Sequence, residues 1–435
     1  MKNRIAIVFF ALLFSSVSLI IGFSQTTVDV WMHEGQPHER EAMNAIIERF
    51  NENHEEIKAE ITYIVESEYE SKVATAAIAG NLPDLMDVDG PWVATWAWRG
   101  FLRPIGEFFE QETVDDFVPS IVEQGTWQDK LYALGQFESG LGLYYRKSIL
   151  EEAGVEAPSK LENAWTWPEF MDVCEKVIET GEVERAVDIR WEWAAEWWTY
   201  GFSPIVWSND GSLIGPKGLT AQGYMNSPET IRALEKFQEF IDKGYADPEA
   251  TPDQFEQGKA AFAWVGHWMY SGYEDKFGDD LGITFLPGIK RPVTGSGSYT
   301  WGMTTQVDNM EAAAEVLKWI VKPESILMMT RGTDLEGNRV AAGNAAPPAR
   351  ESVYDEFSEY QELPLKIFTT QLQEGVAHAR PVTPAYGAIT RQFQSAINDI
   401  ALGSEVEKTL NQAARAVDRE VKANNYYGLT PPEED

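Results

Sequence analysis

The residues in this chain that could do chemistry are aromatic and acidic, not nucleophilic or metal-binding. Trp92, Trp96 and Trp98 form one group, Trp191, Trp193, Trp197 and Trp198 a second, and Trp264, Trp268 and Trp301 follow singly. Several stand beside Gly, Pro or Asp at the ends of expected elements, outside any apolar stripe. Trp92 follows Asp87-Val88-Asp89-Gly90-Pro91, and Trp268 follows Gly266-His267. An aromatic face beside a carboxylate suits a sugar, because the ring stacks on apolar C–H faces while the carboxylate accepts from hydroxyls. Tryptophan is also a large core residue, and for most of the sixteen that plainer role is expected.

Other chemistries lack their residues. There is no G-x-S-x-G elbow and no G-x-G-x-x-G, and Gly258-Lys259 runs into Ala260 where a phosphate loop needs Ser or Thr. His33-Glu34 and His38-Glu39 are five residues apart where H-E-x-x-H requires four, so the two imidazoles do not share a helix face. Asp84, Asp87 and Asp89 lack the terminal Glu of a calcium loop. Cys174 falls on the apolar side of an expected helix and reads as core. Among 69 acidic residues, two carboxylates spaced for glycoside hydrolysis arise by chance and carry no weight. No catalytic residue, metal site or cofactor is expected.

Positioning the aromatic residues requires a framework, and the periodicity supplies one. Thr27–Met32 alternates as a strand, and Glu39–Asn53 has helical apolar spacing. Lys58–Val65 alternates again, Glu68–Ala79 is amphipathic and ends at Gly80, and Leu85–Val88 is a short strand. This βαβ pattern predicts an α/β domain with a largely parallel sheet. Further on, Gly142–Tyr145, Ala260–Val265, Leu281–Phe285 and Ser298–Gln306 read as extended. Trp167–Thr180, Pro228–Lys243, Met310–Val321, Ala388–Ala401 and Val406–Lys422 read as helices. Ligands of open α/β sheets sit outside the carboxyl ends of strands, where Trp92 and Trp268 fall.

The chain has 435 residues, enough for two or three domains of roughly 150 residues each. Its 35 Lys and Arg against 69 Asp and Glu give a formal charge of −34, which disfavours nucleic acid and anionic membrane surfaces. One cysteine precludes an intrachain disulfide framework. Lys2 and Arg4 precede an apolar run, and Gly22 and Ser24 are the small residues of a cleavage site before Gln25, so residues 1–24 are expected to be a secretory signal peptide. An uncleaved anchor is the alternative; a lipid anchor lacks its cysteine.

At this point several segments match a known family. Ile78-Ala79-Gly80-Asn81-Leu82-Pro83-Asp84-Leu85, Arg99-Gly100-Phe101-Leu102-Arg103-Pro104-Ile105, and Leu131–Leu134 through Gly142–Arg146 occur in the family's order. So do Glu256-Gln257-Gly258-Lys259-Ala260-Ala261-Phe262 through Gly266-His267-Trp268, Ala346–Arg350, and Arg380–Tyr386. The chain resembles the family 1 extracellular solute-binding proteins of bacterial ABC importers, although Arg146 stands where the family usually has Asn or Asp. The resemblance implies two α/β lobes with a ligand cleft between them and hinge closure around ligand. Lobe one would comprise 25–137 and 298–345, lobe two 138–297 and 346–435. It implies a non-enzymatic carbohydrate receptor, monomeric, in the periplasm or otherwise outside the cytoplasm, feeding ABC permease subunits. Trp268 would stack on sugar, with Trp301 as a second platform, Asp89, Trp92 and Glu34 lining the first lobe, and Glu138 in the first crossing. Arg350, Arg380 and Tyr386 complete the expected contacts. A secreted glycoside hydrolase, or a receptor for a chemosensory or sensor-kinase partner, are the competing readings.

Overall fold

Alternation of apolar and polar residues builds the first strand, Thr26–His33, with Val28, Val30 and Met32 turned into the core. Helix Pro37–Asn53 follows and buries Ala42, Met43, Ile46, Ile47 and Phe50 along one face. Strand Ile57–Ile64 pairs with the first in parallel, and helix Tyr69–Ala79 ends at Gly80, whose φ of 74° suits the left-handed cap. The computed structural model describes residues 25–249, 251–356 and 358–431. The expected signal segment 1–24 and the extreme C-terminus lie outside them.

Two sheets, each covered by helices, make two lobes. The first runs Ile57–Ile64, Thr26–His33, Leu85–Asp89, Tyr299–Met303, Ala133–Gly135. Its central strand Leu85–Asp89 is buried throughout, and strand Tyr299–Met303 returns antiparallel beside it with Tyr299 opposite Asp89 and Trp301 opposite Asp87. The second runs Leu281–Thr284, Leu141–Arg146, Ala260–Gly266, Arg185–Asp188. Every residue of Ala260–Gly266 is buried, as its unbroken run of small and apolar side chains requires of a central strand. Cys174 is fully buried on helix Trp167–Glu179.

The chain crosses between the sheets near residues 136–140, 297–298 and 346–349, and these segments are tied together. The Glu138 N–H donates to the Pro347 carbonyl at 2.8 Å, and the Ala349 N–H to that of Gln136 at 3.1 Å. Among the described residues, no helix is long and apolar enough to cross a membrane.

The periodicity missed helix Ala195–Ser208. Eleven of its residues are buried and Pro204 lies inside it, so it has no polar face to reveal a helical period.

Candidate functional site

Between the sheets lies a cleft of about 340 Å³. The carboxyl ends of both central strands open onto it, Asp89 from one and His267-Trp268 from the other.

The aromatic wall is built around Trp268, which is half-buried. Its ring folds back over Gly266, where a Cβ would stand 2.0 Å from a ring carbon, so only glycine fits there. Trp193, Trp197 and Tyr200 extend the wall, their ring centres 6.4, 6.1 and 6.0 Å from that of Trp268. The Trp197 indole N–H donates to the Ile189 carbonyl at 3.0 Å, which fixes its plane. Tyr299 lines the same cleft, stacked on His33 with ring centres 3.6 Å apart. Burial alone would lower the His33 pKa; the charge of Asp87 and its hydrogen bond to the ring outweigh that and raise it to about 9.

The turn that delivers Trp193 and Trp197 is strained. Arg190, Ala194 and Ala195 have φ of 51°, 46° and 41°, positions that side chains avoid. A buried guanidinium anchors it: Arg190 donates to the Tyr273 hydroxyl at 2.9 Å, pairs with Glu256 and Asp253, and packs over the Trp193 ring at 5.2 Å.

A second buried guanidinium spans the cleft floor. Arg380 donates through both terminal nitrogens to Asp89 at 2.6 Å, and through one of them to Glu196 at 2.7 Å. Glu196 also accepts from Thr390 at 2.8 Å and from the Tyr386 hydroxyl. Burial raises the Glu196 pKa against the pull of Arg380.

Of the residues expected from sequence, Trp268, Asp89, Arg380 and Glu34 line the cleft, Glu34 at its exposed rim. The other five stand off it. Trp301 is two residues deeper along its strand than Tyr299; it is buried and donates its indole N–H to Gln136 at 3.2 Å, so it is core, and Tyr299 holds the position facing the cleft. Trp92 is buried edge-on against Tyr386, with ring centres 5.6 Å apart. Tyr386 supports Glu196 from behind. Glu138 is fully buried at the crossings, accepting from the Ser139 and Gly297 N–H groups at 2.8 and 2.6 Å, while its neighbours Phe137, Ser139 and Gly297 line the cleft. Arg350 pairs with Asp116 at 2.6 Å and packs over Phe117, away from the cleft. Sequence reasoning missed Trp193, Glu196, Trp197, Tyr200 and Tyr299 as lining residues. The Trp191–Trp198 cluster was the available signal for three of them.

Comparison with known proteins places this architecture. Residues 36–326 match the family described as bacterial extracellular solute-binding proteins. The chain belongs to that family. This solute-binding protein is 24% identical over 386 residues to a maltotriose-binding protein of Pyrococcus abyssi, covering 86% of this chain and 77% of the relative. It is 22% identical over 333 residues to a mannitol-binding protein of Pseudomonas aeruginosa, covering 72% of each. A solute-binding protein from Thermotoga lettingae bound to α-D-tagatose superposes with a TM-score of 0.78 at 23% identity, over 91% of this chain and 99% of the other. A maltose/maltodextrin-binding domain from Bdellovibrio bacteriovorus bound to maltotriose gives 0.75 at 18%, over 91% and 100%. At these identities the superpositions establish the two-lobe fold.

Proposed function

We propose that the cleft captures a small carbohydrate outside the cytoplasm and delivers it to the permease of an ABC importer. The observation that carries this reading is the Trp268–Trp193–Trp197–Tyr200 wall set beside the buried Asp89 carboxylate at the end of a central strand and Glu196 at the start of helix Ala195–Ser208. Such a wall presents apolar faces to a sugar ring, and the carboxylates accept from its hydroxyls. The relatives named for maltotriose and mannitol support the same class. The volume, near the lower end of the roughly 300–1,000 Å³ of ligand pockets, favours a short saccharide.

In this reading Trp268 is the stacking platform, with Asp89, Arg380 and Glu34 as polar contacts. Lobe one is 25–137 with 298–345 and lobe two 138–297 with 346–435, a division supported by the sheet to which each strand belongs. The chain acts as a monomer and turns over no substrate.

Titration of tryptophan fluorescence and a thermal-shift screen with mono- and oligosaccharides test the proposal, since bound ligand stabilises by mass action. Trp268→Ala is expected to weaken the best ligand at least tenfold, about 1.4 kcal/mol. A variant that binds as tightly as the parent removes Trp268 from the site. Product release from oligosaccharides at catalytic rates would overturn the binding reading in favour of a hydrolase.

A further inference from the structure

The cleft holds more acidic side chains than its own cations answer. Glu34, Glu39, Glu66, Glu70, Asp89 and Glu196 line it, against Arg380 and His33. Four of the six have defined partners. Arg380 ties Asp89 and Glu196. Glu39 accepts from the Gln36 N–H at 2.8 Å and from the Asn344 amide at 3.2 Å, and Glu34 lies 3.9 Å from the Arg40 guanidinium. The charge of His33 is met first by Asp87 behind it and more weakly by Glu66 and Glu39.

Glu66 and Glu70 are left over. They are four residues apart, in the short turn Glu66–Glu68 and the first turn of helix Tyr69–Ala79, and both line the cleft. Glu66 accepts one long hydrogen bond, 3.5 Å from the Tyr299 hydroxyl. Glu70 has no side-chain partner among the described residues. Burial, together with the charges of Glu196, Asp89 and Glu66, pushes the Glu70 carboxyl up to about 8, and burial raises Glu66 as well. Glu66 is exposed at the mouth of the cleft and Glu70 is half-buried, so a ligand seated over them would shield them from the water and salt that screen charge on an open surface.

A third group adds to the surplus of acceptors. His267 lines the cleft and is 1% exposed. Its Nδ1 lies 2.8 Å from the Asn344 carbonyl, so the proton sits on Nδ1. Its Nε2 presents a buried lone pair with no partner among the described residues.

We propose that the carbohydrate is cationic: a small amino sugar whose ring stacks on the Trp268 wall while its protonated amine is held by Glu66 and Glu70. This rests on the reading of the cleft as a carbohydrate site. Hydroxyls of a neutral sugar would satisfy acceptors, but with the Glu70 carboxyl pushed up to about 8 the pair would then hold a proton where a cation could sit. An ammonium group brings three donors together with the compensating charge, and the nearby indole faces attract it further.

The test is calorimetric titration of the full chain with matched sugars at pH 7 and low salt. Glucosamine, galactosamine and the chitosan disaccharide are compared with glucose, galactose and cellobiose, and with the N-acetylated forms. The best amine is expected to bind at least tenfold tighter than its hydroxyl and N-acetyl counterparts, and this ratio should shrink in about 0.5 M salt. Glu66→Gln and Glu70→Gln should each move the ratio toward one. If a neutral sugar binds the parent as tightly as its amine, the inference is overturned while the carbohydrate reading stands. If putrescine or spermidine binds and no sugar does, or if nothing in the panel binds, the carbohydrate reading falls and takes this inference with it.

Discussion

His267 illustrates how one side chain can set a response to pH. Burial lowers its pKa from the usual 6.5 to about 4, with the Asn344 carbonyl offsetting part of that. The unfolded chain therefore binds this proton at a higher pH than the folded one. Stability is unaffected above pH 6.5 and falls as the pH drops from about 6.5 toward 4, by up to roughly 3 kcal/mol. His33 acts in the opposite range: its raised pKa of about 9 gives a contribution that is complete below 6.5 and lost as pH rises toward 9, so it does not mask the acid effect. Thermal melts at pH 7, 5.5 and 4 should show His267→Phe closing on the parent as pH falls; a constant gap would refute this account. Single residues were legible where a local pattern fixed their place. Asp89 ends one buried strand and Trp268 lies two residues past the end of another, and both reach the cleft. Trp301 was misplaced because strand alternation specifies a face but not a depth: Tyr299 and Trp301 share a face, and only the former is near enough the strand's end.

At the scale of elements, the turn before helix Ala195–Ser208 concentrates the backbone strain. Ala194 holds φ 46° and ψ −148°, a conformation that costs a non-glycine residue about 1–3 kcal/mol. Glycine adopts it freely, at an entropic cost of roughly 0.4–1 kcal/mol in the unfolded chain. Ala194→Gly is therefore expected to leave the protein equally stable or up to about 2 kcal/mol more so. Ala396→Gly, inside helix Tyr386–Ala401, should instead cost about 1 kcal/mol from propensity alone. Denaturant melts of the two variants check the contrast, and a loss at position 194 as large as that at 396 would rule out strain. This turn was also the least readable part of the site. No Gly or Pro marks it, and its geometry comes from Arg190 buried among Glu256, Asp253 and Tyr273, partners more than sixty residues along the chain. The strands and amphipathic helices, by contrast, were read to within a few residues because their periods are local.

At the scale of the whole molecule, Arg380 joins Asp89 at the end of a first-sheet strand to Glu196 at the start of a helix in the second lobe. Removing it leaves two carboxylates facing each other across the cleft, a loss of about 3–5 kcal/mol if the lobes stay together. Moving the lobes apart readmits water and relieves it. Arg380→Ala should therefore melt earlier and, without ligand, show a larger radius of gyration in solution scattering than the parent; an unchanged radius would mean that the bridge does not hold the lobes. The order of the first sheet bears on how the chain is made. Strand Tyr299–Met303 sits between Leu85–Asp89 and Ala133–Gly135, and Thr300 donates its hydroxyl to the Val88 carbonyl 212 residues away. A nascent chain that has not reached residue 299 has an open slot in that sheet and cannot complete its first lobe. Closing such distant pairs is slow. Completion of the first lobe therefore waits for the last third of the polypeptide, and until then the facing edges of Leu85–Asp89 and Ala133–Gly135 stay unpaired.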